Sequence, residues 1–412
     1  MKNISVFITI SVCFAFYAFT YFARVEPGAL INDLMKDFSL SAAEVGSIVS
    51  TAAYIPYVAL QVPGGVLTDK FGLRKVILIC SILCTIGMLL FGTAQHSWQL
   101  VLGRFIIGLS STTSFLCCGK AAADLFDKSK YGLFMGIAMF LGCIGGILAT
   151  SLSSNVAPVI GWRQFTCYMS IIGVIISILA FIFIKDVPSN SNPNNNIKDS
   201  LKAIRNLICN KQVWLIGIYG LVSYLPLSAI AEMWGIPFIQ HRFNVSQQEA
   251  TISSAVIFIS FGAGSIIVDR VANKFNSYKK TIILFLILAL ISFAIAFYSD
   301  SINYFTCLIL FGLGGFFAGC NNLSFPLCYN FVPKEYAGMS TGFMNTLIMS
   351  NCILFPPLLG KLLDIFQDGT LNSEGLPVYS LGDYRKSFTF IIISLVISIV
   401  SVLFIKEKST SK

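Results

Sequence analysis

The stretch GGVLTDKFGLRK, residues 64–75, lies between two long apolar runs and contains an acidic residue directly followed by a basic one. A related stretch, GSIIVDRVANKF, occupies residues 264–275, so that Asp69–Lys70 and Asp269–Arg270 are 200 residues apart. DKSKYG at 127–132 and PKEYAG at 333–338 repeat at nearly the same spacing. Two matching signals at one spacing predict a chain built from two similar halves.

The composition is that of a membrane protein. Of 412 residues, 56% are hydrophobic and only 11% are charged, about half the charge of a soluble domain. Runs of about 20 apolar residues can span a bilayer as helices, whereas the short alternating strands of a membrane β-barrel are absent from the sequence. We predict an all-α membrane protein with twelve transmembrane helices, the first retained rather than cleaved, at residues 4–23, 45–68, 75–94, 98–119, 132–154, 165–184, 213–239, 251–268, 281–298, 303–331, 338–360 and 387–405.

The distribution of basic residues predicts the orientation of these helices. With the N-terminus in the cytoplasm, 19 of the 28 Lys and Arg residues fall in cytoplasmic segments, six fall on the opposite side and three lie within spans. Cytoplasmic loops of membrane proteins carry such an excess of Lys and Arg. We therefore expect both termini in the cytoplasm, a multi-pass protein of the cell inner membrane, and no nucleic-acid partner behind the net charge of +9.

The longest interruption of the apolar pattern divides the spans six and six. Residues 186–212 read DVPSNSNPNNNIKDSLKAIRNLICNKQ, which is rich in Asn and Pro and then basic. This composition is typical of a linker. The predicted organisation is an N-terminal six-helix bundle at 1–185, a cytoplasmic linker at 186–212 and a C-terminal six-helix bundle at 213–412.

Several motifs resemble the major facilitator superfamily. Residues 65–75 look like the signature loop of that family between its second and third spans, and Arg104-x-x-x-Gly108 and GWRQF at 161–165 are similar to further family motifs. The copy at 264–275 lacks the second Gly and the trailing Arg-Lys, as is usual in the family. The resemblance implies two six-helix bundles around a central site that rock between inward-facing and outward-facing states.

A narrower resemblance involves two stretches. RVEPGALINDLMKDFSLSAAEVG, residues 24–46, and AEMWGIPF, residues 231–238, look like the phagosomal nutrient transporters of intracellular bacteria. That resemblance implies amino acids or nucleosides as substrates.

Two charged residues lie in or beside apolar runs at positions that suit a substrate site. Glu232, the only acid that we place deep within a predicted span, is flanked by Pro226 and Pro237, and an ionisable group at that depth is expensive unless it has a function. Arg24 either lies at the outer interface, if the first span ends at Ala23, or faces a cavity, if the helix continues toward residue 32. The second placement would let its guanidinium bind a carboxylate in a bidentate fork.

Other candidates are assigned by the polar faces of the spans and by the family motifs. Tyr17, Tyr21 and Arg24 share one helical face, and Tyr54, Tyr57 and Gln61 share another. Amides in the predicted tenth and eleventh spans are as suited to forming hydrogen bonds between helices as to binding a ligand. The predicted substrate-binding residues are Tyr21, Arg24, Tyr54, Tyr57, Glu232, Trp234, Asn321 and Asn345; the proton-coupling residues are Glu232 and Arg104; the gating residues are Asp69, Arg74, Asp269 and Arg270.

These observations favour a secondary active transporter, a monomer without a cofactor, that takes up a small zwitterionic nutrient with protons. Uptake of a nucleoside or small organic anion, and export of a siderophore or drug, are the alternatives. The sequence has no phosphate-binding Gly-x4-Gly-Lys loop and no catalytic constellation, so we expect neither ATP-driven transport nor an enzyme. Its twelve cysteines form no CxxC pair and lie almost entirely in apolar runs, which predicts no metal site.

Overall fold

The computed structural model describes residues 2–126, 131–184, 207–329, 337–367, 369 and 377–406. The chain divides into two compact units, Met1–Ser191 and Asn192–Lys412. Most of the predicted linker, residues 186–206, lies outside the described part of the chain.

Both units are built from helices. The first unit contains α1 (Lys2–Val25), a 3-10 turn (Glu26–Leu30), α2 (Ile31–Phe38), α3 (Ala42–Gly46), a π-helical turn (Ser47–Thr51), α4 (Ala52–Ala59), α5 (Gln61–Gly92), α6 (Ser97–Ser111), α7 (Ser114–Leu125), α8 (Tyr131–Ile160) and α9 (Trp162–Phe183). The second contains α10 (Lys211–Ser223), a π-helix (Leu227–Trp234), α11 (Gly235–Phe243), α12 (Gln247–Phe275), α13 (Tyr278–Tyr298), α14 (Tyr304–Ala318), a 3-10 turn (Gly319–Leu323), α15 (Ser324–Tyr329), α16 (Ala337–Met349), α17 (Asn351–Phe366) and α18 (Leu381–Leu403).

Within the described residues, eleven helical segments are long and apolar enough to cross a membrane, and each overlaps a predicted span. The remaining predicted span, 45–68, is also helical but is not one regular helix. A π-helical turn at Ser47–Thr51 and a break at Leu60, with φ −103° and ψ 10°, divide it. Its end is joined to the next span in α5, where Gly72 alone leaves the helical conformation.

The first span is longer than predicted, because the helical path does not end at Ala23 but continues through Phe38. Pro27 explains the irregularity: it has no N–H to donate to the carbonyl of Ala23 four residues earlier, and its ring crowds that carbonyl. The chain tightens into the 3-10 turn Glu26–Leu30 and then resumes as α2. Arg24 and Glu26 are therefore part of the span rather than of a loop after it.

In each unit a glycine lets the backbones of two helices come into direct contact. A Cβ built on Gly108 of α6 would overlap the carbonyl oxygen of Ala53 in α4. Likewise a Cβ on Gly264 of α12 would overlap the carbonyl oxygen of Phe316 in α14. These contacts join the second and fourth spans of each half, so the internal repeat seen in the sequence extends to the packing.

Basic side chains join the ends of neighbouring helices in the same way in both units. Arg74 Nη2 donates to the carbonyl of Phe181 in the last turn of α9, at 2.7 Å. Lys279 Nζ donates to the carbonyl of Leu403 at the end of α18, at 2.6 Å. Carbonyls in the last turn of a helix lack helical partners and carry partial negative charge, so these cations satisfy them.

At the start of the last helix of each unit an arginine pairs with an aspartate. Arg163 bonds Asp37 and donates through Nε to the carbonyl of Ala94. Arg385 bonds Asp300 and donates through Nε to the carbonyl of Phe297. The hydrogen bond from Arg385 lowers the pKa of the Asp300 carboxyl. Because the Asp300 side chain is 82% exposed, salt screens this pair and it adds little to stability.

The turn inside the signature loop depends on Gly72. Its backbone, at φ 77° and ψ 167°, lies in a region that residues with a Cβ almost never adopt. We expect Gly72→Ala to lower the free energy of unfolding by about 1–3 kcal/mol, measured as a lower melting temperature of the purified protein. Gly65→Ala is the matched control, since a Cβ there meets open space. Equal stability of the two variants would contradict this explanation.

Candidate functional site

The Arg24 guanidinium of the first unit lies in a cage of tyrosine rings. Its Cζ atom is 4.8 Å from the ring centre of Tyr21, 4.7 Å from that of Tyr57 and 5.7 Å from that of Tyr54. Tyr21 comes from the same helix, one turn earlier, and the other two rings come from α4. The structure thus brings together the two polar faces that the sequence predicted separately, with Tyr17 packed edge-on to Tyr21.

This arginine is buried but incompletely bonded. The residue is 5% exposed, so it does not reach out to an interface. Its Nε donates to the carbonyl of Thr20 at 3.4 Å, a long hydrogen bond. Its Nη2 has no hydrogen-bond partner among the residues that the structure describes. Aromatic faces attract a cation, but they do not replace hydrogen-bond acceptors, so the head of Arg24 can accept an anionic ligand.

Arg104 of α6 holds the backbone of this site together. Its Nη1 donates to the carbonyl of Ala23 and its Nη2 to the carbonyl of Arg24, both at 2.8 Å. Nε and Nη2 both donate to the carbonyl of Val49 in the π-helical turn. The Ala23 carbonyl is the one that Pro27 leaves without a helical partner. A single buried guanidinium therefore joins the segment that carries Arg24 to the segment that leads into α4.

Sequence reasoning missed a second buried acid. Glu26 is 1% exposed, lies within electrostatic reach of Arg104, and accepts a hydrogen bond of 2.6 Å from Thr166 Oγ1 in α9. The statement that Glu232 is the only acid deep in a span is therefore wrong. It failed because the first span was ended at the first charged residue. The apolar residues that follow Pro27 were the signal in the sequence that the first span continues past its first charged residue.

In the second unit Glu232 lies in a π-helix between two prolines. Pro226 precedes the π-helix Leu227–Trp234, and Pro237 follows it within α11. At the end of the π-helix, the N–H of Gly235 bonds the carbonyl of Ile230, five residues back. Glu232 is 9% exposed and does have an interaction partner. The helix is irregular between the two prolines, and this irregular stretch carries the carboxylate.

Two of the predicted substrate contacts, Trp234 and Asn321, have hydrogen-bond partners within the protein. Trp234 is buried and donates to the carbonyl of Pro356 at 3.2 Å. Asn321 Nδ2 donates to the carbonyl of Gly220 at 2.7 Å and to Ser223 Oγ at 2.8 Å. Asn351 Nδ2 donates to the carbonyl of Leu221 at 2.6 Å. The two asparagines thus cap the end of α10, where the helix breaks before Pro226. Asn345 is half-buried in α16.

The predicted gating residues have different surroundings in the structure. Arg74 caps α9 and also lies over the ring of Phe181, 4.7 Å from its centre. Asp269 and Arg270 have exposed side chains in the last third of α12. The side chain of Asp69 lies outside the described part of the structure. Of these four, Arg74 thus has a defined role in the structure: it anchors two helices of one unit.

Metal and disulfide chemistry have no visible support in the residues that the structure places. No group of three or more His, Cys, Asp or Glu side chains there could hold a metal ion. All twelve cysteines are free.

The family model of the Major Facilitator Superfamily matches residues 8–356. The chain belongs to the Major Facilitator Superfamily. The relatives described below are named as transporters, and the motifs at 65–75, 104–108 and 161–165 agree with the assignment.

Two relatives of this superfamily member are named for different substrates. The probable sulfoacetate transporter SauU of Cupriavidus necator is 23% identical over 379 residues, which cover 84% of this chain and 85% of SauU. The lysosomal dipeptide transporter MFSD1 of Danio rerio is 21% identical over 380 residues, which cover 87% of this chain and 81% of MFSD1. A crystal structure of a bacterial homologue of the human lysosomal transporter Spinster matches 97% of each chain with a TM-score of 0.82. At 14% identity this last match shows the shared fold.

If Arg104 joins two segments through their carbonyls, lysine cannot replace it, because one ammonium cannot reach three carbonyl oxygens in a planar fork. We expect Arg104→Lys to leave buried carbonyls unpaired and to lower the free energy of unfolding by about 2–4 kcal/mol. Arg163→Lys is the control: that arginine is 41% exposed, and its replacement should cost less than about 1 kcal/mol. The melting temperatures of the two purified variants are compared with that of the wild type. An Arg104→Lys protein as stable as the control would contradict the proposed role.

Proposed function

We propose that this transporter takes up a small nutrient with a carboxylate, an amino acid first, together with protons across the cell inner membrane. The observation that carries the proposal is the Nη2 atom of Arg24, which is buried but has no acceptor among the described residues. A carboxylate is the chemical group that best completes such a guanidinium.

The Arg24 guanidinium is a buried charge whose Nη2 atom lacks a hydrogen-bond partner among the described residues. A buried cation is costly unless its charge and its N–H groups are satisfied. The tyrosine cage meets part of this need through its ring faces, and Arg104 is a second cation nearby. A substrate anion would supply the missing acceptor, so the site would gain free energy when an anion binds.

The choice of a zwitterion rests on Glu232. Arg24 lies in the first span of the first unit and Glu232 in the first span of the second unit. The first unit thus offers a buried cation and the second a buried acid, each beside an irregular stretch of helix. A substrate with a carboxylate and an ammonium group has a chemical partner for each of these charges.

An amino acid is our first candidate; the resemblance of residues 24–46 and 231–238 to phagosomal nutrient transporters and the dipeptide relative support this choice. Uptake of a small organic anion is the second candidate, because the relative SauU is named for sulfoacetate. In that case Arg24 alone would recognise the substrate, and Glu232 would only carry the proton.

Proton coupling is proposed on the two buried acids. Glu232 is the first candidate, since it lies in irregular helix within a span. Glu26 is the second, since it is almost wholly buried and bonded to a neutral hydroxyl. Arg104 is less suited to carry a proton than predicted, because it donates four hydrogen bonds to carbonyl oxygens.

The carboxylate clamp predicts a specific effect of lysine at position 24. Arg24→Lys replaces a planar fork by a point charge and should weaken substrate binding at least tenfold, since a charge-assisted hydrogen bond contributes about 1.5–3 kcal/mol. Arg24→Ala should weaken it more. Arg242→Lys, which alters an arginine bonded to carbonyls in the second unit, should leave affinity unchanged.

Titration calorimetry with a bound amino acid and its carboxyl amide measures this effect. The amide should bind the wild type weakly and lose little more in the variants, because the group that Arg24 recognises is already missing. An Arg24→Lys protein that binds the free acid as tightly as the wild type would exclude the clamp.

Proton coupling can be tested by comparing accumulation with exchange. In proteoliposomes, Glu232→Gln should abolish accumulation of substrate driven by a pH gradient but should preserve exchange of labelled for unlabelled substrate, which needs no net proton movement. Glu26→Gln is the matched variant in the other unit. If only Glu26→Gln uncouples accumulation, the proton is carried by the first unit, and if neither variant does so, both acids are excluded as proton carriers.

A further inference from the structure

A second buried donor in the first unit lacks a partner. Five buried side-chain atoms are unpaired in the described part of the chain, and only two of them are nitrogens: Arg24 Nη2 and Gln61 Nε2. Both nitrogens belong to the first unit, and the three seryl oxygens belong to the second. Gln61 is 5% exposed, so water at the surface does not satisfy its amide. An unpaired buried amide donor is destabilising, and its presence needs a reason.

Gln61 lies in the turn that follows the face of the arginine cage. It comes four residues after Tyr57, and although the helical conformation breaks at Leu60, the N–H of Leu60 still bonds the carbonyl of Pro56 at 3.1 Å, so Gln61 begins the next turn of the chain. The ring of Tyr57 is 4.7 Å from the Arg24 guanidinium, and four residues of helix advance about 6 Å. A small molecule held at Arg24 and lying along Tyr57 would therefore reach the amide of Gln61.

The segment that carries this face is firmly held. The backbone of Ala53 packs directly on Gly108, and the Thr112 hydroxyl donates to the carbonyl of Tyr57 at 3.5 Å. At Leu60 the helix breaks, and α5 begins with Gln61 itself. The backbone that carries the cage tyrosines is thus held against α6, and Gln61 directly follows it, which suits a recognition group.

We propose that Gln61 is a second substrate-binding residue, which donates a hydrogen bond to an oxygen of the substrate other than its carboxylate. The substrate class is a small carboxylate with a hydroxyl, carbonyl or amide oxygen within about 6 Å of the carboxylate, the advance of four helical residues. This inference rests on the proposed function, because Arg24 must bind the carboxylate before Gln61 can donate a hydrogen bond to the second oxygen.

The test uses matched pairs of compounds that differ in one oxygen-bearing group. The probes are L-threonine with L-2-aminobutyrate, L-glutamine with L-norvaline, and 3-hydroxybutyrate with butyrate. Their dissociation constants are measured by titration calorimetry on the purified full-length protein, on Gln61→Leu and on Gln240→Leu, the same substitution at a half-buried glutamine of the second unit. Arg24→Lys is included to show whether the carboxylate is bound at the cage.

The wild type and Gln240→Leu should prefer the oxygen-bearing member of at least one pair by about three- to tenfold, the effect of one neutral hydrogen bond. Gln61→Leu should bind both members alike, at the affinity of the oxygen-free compound. Its melting temperature without ligand should equal or exceed that of the wild type, because leucine removes an unpaired donor. A structural role of the amide would instead lower the melting temperature and leave the preference intact.

The failure of this inference can be distinguished from the failure of the proposed function. If carboxylates bind in an Arg24-dependent manner but Gln61→Leu keeps the preference, or the wild type has none, Gln61 does not read the substrate. If no carboxylate binds, or if binding ignores Arg24→Lys, the proposed function fails and the role of Gln61 fails with it.

Discussion

The Arg104 guanidinium, which donates to the carbonyl oxygens of Ala23, Arg24 and Val49, is the interaction on which the candidate site depends. Pro27 leaves the Ala23 carbonyl without its helical partner, and a membrane-embedded helix offers no water to replace it. Arg104 satisfies that carbonyl and at the same time fixes the backbone of Arg24. Because Val49 precedes α4, the same side chain determines where the rings of Tyr54 and Tyr57 meet the Arg24 guanidinium.

The second unit meets the same constraint with different chemistry. There α10 ends before Pro226, and Asn321 and Asn351 donate to the carbonyls of Gly220 and Leu221 in its last turn. In both units a polar side chain from another helix thus closes a break in the first span, and a charged candidate residue lies beside that break. An irregular helix is tolerated inside a membrane protein when such partners satisfy its backbone, and it gives Arg24 and Glu232 surroundings that a regular helix would not.

Much of the architecture could be predicted from the sequence, because apolar runs and the repeated Asp-basic signal report directly on spans and halves. Helix breaks and partners were harder to predict. The predicted first span ended before its first charged residue, so Glu26 was not recognised as a buried acid. Only the structure shows that Glu26 is buried and bonded to Thr166. An amide such as that of Asn321 can bind a ligand or cap a helix, and sequence does not distinguish the two. The Tyr54–Tyr57 face was predictable from spacing, but its meeting with Arg24 depends on packing between helices.

The central claim is that the buried head of Arg24 completes its hydrogen bonding with a substrate carboxylate. A thermal-shift screen of the purified wild-type protein tests it most directly, because a ligand that binds the folded state raises the melting temperature in proportion to its occupancy. The screen should contain amino acids, small organic acids, their carboxyl amides and nucleosides. The account predicts that every compound that raises the melting temperature has a free carboxylate or a comparable anionic group. Stabilisation by a nucleoside, together with no response to any carboxylate, would contradict it.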